Sequence, residues 1–217
     1  MNALALLAKL DSAETARGRP GAYAETDLRK LVGDASAVPG VIESLRERGC
    51  LAEVTEGVWR RRANNADRNG KERLPGPRDV ALAYARNRGW RVAPSRAEAE
   101  NAFGISTQVP VVPVLAASGV ENGFRLAWRG GACVFEAAPD WVFALESEAA
   151  ALAGQAAVRG EGAPLKATAR EAAQRVAPER RPEIARSVRE SLSSMPTPQR
   201  EACSAFVIEL ERLPIKQ

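Results

Sequence analysis

The stretch DASAVPGVIESLRERGCLAEVTEGVWRRR, residues 34–62, holds the decision about the fold. Val38, Ile42 and Leu45 recur at intervals of four and three, which places them on one face of a helix. Ser36 suits the N-cap, Pro39 falls in the first turn where its missing N–H is harmless, and Gly49 stops the helix. The chain then turns strand-like on either side of Glu56-Gly57, a turn pair, and closes on three arginines. A short helix running into a basic hairpin is the pattern to be explained.

Upstream, residues 2–16 read as a helix with Leu4, Leu7 and Leu10 at helical spacing. RGRPGAY breaks it, and AETDLRKLVG, residues 24–33, forms a second with Leu28, Leu31 and Val32 on one face. Three short helices bury themselves only by packing together, and a hairpin covers the open edge. The order predicts a winged helix-turn-helix over residues 1–63, with the third helix as recognition helix and the hairpin as wing. Its expected outer face is Ala37, Gly40, Glu43, Ser44 and Glu47, flanked by Arg46 and Arg48. Candidate DNA contacts are Ser36, Ala37, Gly40, Ser44, Arg46, Arg48 and the wing arginines Arg60, Arg61 and Arg62. Arg17 and Arg19 add charge before the second helix. Glu43 and Glu47 repel phosphate unless they meet cytosine amino groups. A winged helix that binds protein without affinity for DNA therefore stays open.

Downstream, residues 64–77 are polar and rich in Asn, Gly and charge, and read as a linker. Residues 78–139 read as a small α+β unit. A helix over 78–90 has Val80, Ala81, Ala83 and Tyr84 to bury, and a strand follows at WRVAP. Ser95 and Glu98 fit a capping box, and extended segments follow from Thr107. The prolines in TQVPVVPVLAASG suit an edge strand or a bend. Residues 140–217 read as helices packing on the middle domain. DWVFALESEAAALAGQAA, residues 140–157, reads as one helix, and Thr197-Pro198 as an N-cap with proline at N1 opening the last. The fold class is α+β.

The chain has 217 residues, 45% hydrophobic and 27% charged, an ordinary globular composition with few aromatics. Its net charge of +4 is spread out: +1 over residues 1–70, zero over 71–150 and +3 over 151–217, so no segment is a polyanion trap. It has no histidine, which excludes Ser-His-Asp and Cys-His catalysis and His-ligated metals. Cys50, Cys133 and Cys203 are isolated and fit a reducing cytoplasm. The N-terminus meets acid early and lacks a basic leader, and the longest apolar run is broken by Pro110 and Pro113. A cytoplasmic chain with no membrane partner is expected. No paired carboxylates are evident, so neither enzymatic activity nor a cofactor or metal is expected.

One further stretch, NAFGISTQVP, residues 101–110, concentrates local chemistries. Asn101 tolerates a left-handed conformation or bonds nearby backbone, and Gly104 suits the residue after a helix end. Ser106 and Thr107 can satisfy backbone groups, Gln108 can bridge them, and Pro110 sets a strand edge. It holds no carboxylate, lysine or cysteine, so a helix-to-strand corner is favoured over a catalytic loop.

A winged helix, a polar linker and then PRDVALAYARNRGWRVAPSRAEAENAFGISTQVP resemble the AbiE-type type IV antitoxins and related transcriptional regulators. The matching positions are Ala93-Pro94-Ser95, Asn101, Gly104, Ser106 to Pro110 and Ser118-Gly119; the Glu43-Ser44 region departs from the pattern. The resemblance implies a repressor-like N-terminal domain bound to operator duplex DNA. It also implies a second domain that counteracts a cognate nucleotidyltransferase-like toxin without a stable complex, in abortive infection and phage defence.

Overall fold

The computed structural model describes residues 2–62, 73–108, 110–157, 165 and 167–214. Most of the expected linker, and Val109 of the quoted motif, fall outside these. The fold is mixed α+β with two sheets. The chain divides into two compact units, one of residues 1–90 with 125–133, the other of residues 91–124 with 134–217.

The first unit opens with helix α1 (Ala3–Arg17), capped by the Asn2 side chain, which accepts from Ala5 N at 2.9 Å. Its buried stripe is Leu6, Leu10 and Glu14 rather than the expected Leu4, Leu7 and Leu10. Leu4 is 66% exposed, because the adjacent leucines offered two helical registers and packing chose the other. A two-residue strand, β1 (Tyr23–Ala24), then precedes α2 (Glu25–Val32) and α3 (Val38–Glu47). The hairpin is β2 (Leu51–Thr55) and β3 (Val58–Arg61), turning at Glu56-Gly57. The strands pair antiparallel in the order β1-β3-β2, with Tyr23 opposite Trp59 and Leu51 opposite Arg61.

Leu6, Leu10, Tyr23, Leu28, Val38, Ile42, Leu45, Leu51 and Trp59 make one core. Every apolar position expected on the third helix is therefore buried. Ser36 is not the cap of α3. Ala37 occupies that position, and the Ser36 amide and hydroxyl instead donate to the Asp34 carboxylate at 3.0 and 2.6 Å. Asp34 competes for the hydroxyl within its own turn, a common use of Asp and Ser pairs.

Helix α4 (Pro77–Asn87), expected in the middle domain, groups with the first unit. It buries Val80, Ala81, Ala83 and Tyr84, as its periodicity predicts. Three ion pairs fasten it: Arg19–Asp79 at 2.8 Å, Arg86–Asp27 at 3.0 Å and Arg88–Glu56 at 2.7 Å.

The second sheet has the order β4-β5-β7-β6, from β4 (Val92–Pro94), β5 (Val114–Ala117), β6 (Phe124–Trp128) and β7 (Gly131–Glu136). Pro94 lies on an edge strand, where a missing donor costs least. β5 is interior, antiparallel to β4 and parallel to β7. Of the two roles expected of Pro110 and Pro113, an edge strand or a bend, the structure has the bend: residues 111 and 112 bend between them, and β5 starts only at Val114.

Between β4 and β5 lies α5 (Arg96–Ala102), which Ser95 caps by accepting from Glu98 N at 3.1 Å. The run 140–157 is two helices rather than one, α6 (Asp140–Phe143) and α7 (Glu148–Ala156), with Ser147 capping the second at 3.1 Å from Ala150 N. A serine that satisfies a free backbone N–H restarts the helix where the alanine-rich composition hid the break. The bundle closes with α8 (Ala169–Arg175), α9 (Arg181–Ser191) and α10 (Thr197–Arg212). Thr197 is the first helical residue of α10, with Pro196 before it and Pro198 after, so the cap lies one residue earlier than expected.

Alanines at 99, 150, 153, 172, 173 and 185 allow close helix approach here, and Phe103 meets Phe206 edge to face at 4.9 Å. The apolar face of α10, Ala202, Phe206, Val207 and Leu210, is buried in this core as its pattern requires.

Candidate nucleic-acid interface

Helix α3 presents Pro39, Gly40, Glu43, Glu47 and the flanking Arg46 and Arg48 to solvent, with Ala37 and Ser44 half-buried. Its apolar stripe fixes that orientation, since Val38, Ile42 and Leu45 are buried in the core. Ser36 is exposed at the entry turn. Arg46 is paired with Glu43 at 2.7 Å, and this contact raises the guanidinium pKa further. The outer face of α3 thus carries carboxylates, one arginine neutralised in place, and Arg48 at its C-terminal end.

The three wing arginines do not act as one run. Strand alternation sends their side chains to opposite faces of the hairpin. Arg61 shares the face of Leu51 and Trp59 and turns toward α1, where it pairs with Asp11 at 2.6 Å and Glu14 at 3.4 Å. Glu14 is 5% exposed and also accepts from Gly21 N at 3.1 Å and from the Tyr23 hydroxyl at 3.2 Å. Burial and the Glu14 charge push the Tyr23 hydroxyl well above the usual tyrosine range. Arg61 is therefore withdrawn from the DNA-contact set by its commitment to an internal network. Arg60 is buried, on the opposite face. Arg62 alone of the three is exposed, with its N–H donating to Cys50 O at 2.8 Å.

The face of Arg60 and Arg62 forms one wall of a cavity of about 310 Å³. The β6–β7 turn supplies Trp128 and Arg129, and Leu74 and Pro75 complete it. Neither Trp128 nor Arg129 is signalled by the sequence beyond its place beside the turn pair Gly130-Gly131.

In the second unit, residues 101–108 lead the chain out of α5. Asn101 stays helical; its carbonyl accepts from Gly104 N at 3.0 Å, and Gly104 takes the left-handed conformation at φ +66°. Glu100 O accepts from Ile105 N and Ser106 N at 2.8 and 3.2 Å. The Ser106 hydroxyl accepts from Gln108 N at 3.1 Å, so Gln108 takes part through its backbone. Thr107 and Pro110 are exposed. Gln155, which carries no motif, donates to Pro94 O at 3.0 Å in a buried site at the entry to α5. Among the described residues no cluster of acids and cysteines could hold a metal. No helix among them is long and apolar enough to cross a membrane.

A protein family of unknown function, DUF6088, matches residues 27–159, more than half of the chain. The chain belongs to DUF6088. The matched span begins inside α2 and ends just beyond α7, so it takes in α3, the hairpin, α4 and α5. A crystal structure of the Rv2827c protein from Mycobacterium tuberculosis is similar at 17% identity and a TM-score of 0.38, covering 94% of this chain and 77% of that one. No curated protein matches.

Proposed function

We propose that residues 2–62 form a winged helix-turn-helix that binds duplex DNA, and that this DUF6088 member is a non-enzymatic antitoxin that represses its own operon. The observation that carries the DNA reading is the sheet order β1-β3-β2 closing three helices, with α3 held by its apolar stripe and its polar side outward. That is how a recognition helix is presented to a groove. Gly40 allows close approach, Ser44 offers a hydroxyl, and Arg46, Arg48 and Arg62 supply phosphate contacts. The antitoxin role rests on the resemblance carried by Ser95, Asn101, Gly104, Thr107, Gln108 and Pro110.

Binding to the DNA upstream of the gene, followed by fluorescence anisotropy across a salt series, tests this reading. Affinity should fall steeply with salt, and Arg46→Ala with Arg48→Ala should flatten that slope by about one to two ionic contacts. Equal, salt-insensitive affinity for all variants would remove the recognition helix. Co-expression with a neighbouring nucleotidyltransferase-like protein tests the antitoxin role, which fails if growth is not restored.

A second reading has its own support. Glu43 and Glu47 face outward on α3, and Glu43 already neutralises Arg46. This favours an interaction module without DNA affinity, and absence of any salt-dependent DNA binding would select it.

A further inference from the structure

The back of the hairpin carries chemistry that the recognition helix does not use. Arg60 and Arg62 point away from the helical core, and the β6–β7 turn brings Arg129 and Trp128 to the same cavity of about 310 Å³. These residues all belong to the first compact unit. Among the described lining residues there are three guanidinium groups against one carboxylate, Glu53. That carboxylate is turned toward the hairpin tip, where its Oε1 accepts from Gly57 N at 3.0 Å. Arg62 and Arg129 are exposed, and Arg60 is the buried arginine of the lining.

The aromatic wall is built with some care. A Cβ at Gly131 would lie 3.0 Å from the Trp128 ring, a tight contact, so the glycine lets the indole lie close against the strand backbone. Trp128 is half-buried and keeps part of its surface on the cavity.

Guanidinium forks match phosphate oxygens geometrically, and an indole face accepts any nucleobase. A site for phosphate alone needs no such aromatic wall, and one for an apolar ligand would not gather three arginines. We infer that this cavity binds a nucleoside phosphate, either a free nucleotide or one unit of a single strand, with Arg62 and Arg129 on the phosphate and Trp128 against the base.

This goes beyond the duplex reading; Arg62 is common to both, so Arg129 and Trp128, which the duplex reading does not use, carry the test. Calorimetric titration of the full-length chain with inorganic phosphate, adenosine triphosphate and a short oligothymidylate tests it. Saturable binding of the nucleotide or of the oligonucleotide is expected, and which of the two binds identifies the source. Arg129→Ala should weaken that binding about tenfold, as loss of a charge-assisted contact does. Trp128→Leu should weaken it by a similar factor while leaving inorganic phosphate unaffected. Because Trp128 packs on Gly131, Trp128→Phe serves as a second variant: it should fold and retain most of the binding. Failure of both the nucleotide and the oligonucleotide to bind would overturn the inference. So would binding that Arg129→Ala and Trp128→Leu leave unchanged, or nucleotide affinity no better than that of phosphate.

Discussion

Arg61 on the return strand of the hairpin and Glu14 in the last turn of α1 form a buried ion pair across 47 residues of sequence, at 3.4 Å. Their side chains are 17% and 6% exposed, so the attraction is only weakly screened by water. The pair fixes the hairpin to the first helix.

Arg61→Ala should therefore destabilise the first unit, by about 3 kcal/mol, because it leaves the buried Glu14 carboxylate with its two hydrogen bonds but without a countercharge. Chemical denaturation measures this. If Arg61 instead served DNA, stability would hold and affinity would fall.

Gly104→Ala should cost about 1–2 kcal/mol, the strain of a side chain at positive φ. A Cβ there would also lie 2.0 Å from Arg175 Nε, but that side chain is long and can swing aside. Adding Arg175→Ala should not restore stability. A rescue would show that steric conflict rather than backbone strain sets the cost.

Asp34 gives a pH-dependent term. The Ser36 hydroxyl first, then the Ser36 amide, hold its carboxyl below the usual carboxylate range. A folded-state value lowered in this way adds stability above the unfolded carboxylate value, and that contribution is lost as pH falls through the folded one. Asp34→Asn should abolish this term. The difference in stability between wild type and Asp34→Asn should shrink as the solution is acidified, and a difference independent of pH would refute it.

The three cysteines should separate by reactivity. Burial pushes Cys133 up to about 11 and Cys203 up to about 12, so both are thiols at neutral pH and enclosed by the fold. Cys50 is half-exposed. Titration of the native chain with a thiol reagent should label Cys50 first, with Cys133 and Cys203 following only on unfolding. Prompt labelling of all three would contradict the packing around them.

What the sequence disclosed follows the range of the forces involved. Helix α3 is legible because Val38, Ile42 and Leu45 repeat with the period of the helix that buries them. The Glu56-Gly57 turn and the Ser95 cap are legible because their chemistry is completed within four residues. β1 is not, since two residues carry no period and exist as a strand only through Trp59 and Val58 opposite. The burial of Glu14 depends on Arg61, Gly21 and Tyr23 together, a meeting no local pattern announces. RRR looks like one patch in one dimension; the pleat of a strand divides it. The wall of Trp128 and Arg129 against Arg62 is likewise a product of tertiary structure alone.

The two compact units are interleaved along the chain, which crosses between them after Trp90, after Phe124 and after Cys133. A single cut, whether by a protease or by a truncation primer, therefore releases neither of them whole. A recombination event with one crossover inside residues 91–133 would pair halves of two different cores. The family match over 27–159 contains all three crossings, so the span that places this chain in DUF6088 takes in pieces of both units and the whole of neither.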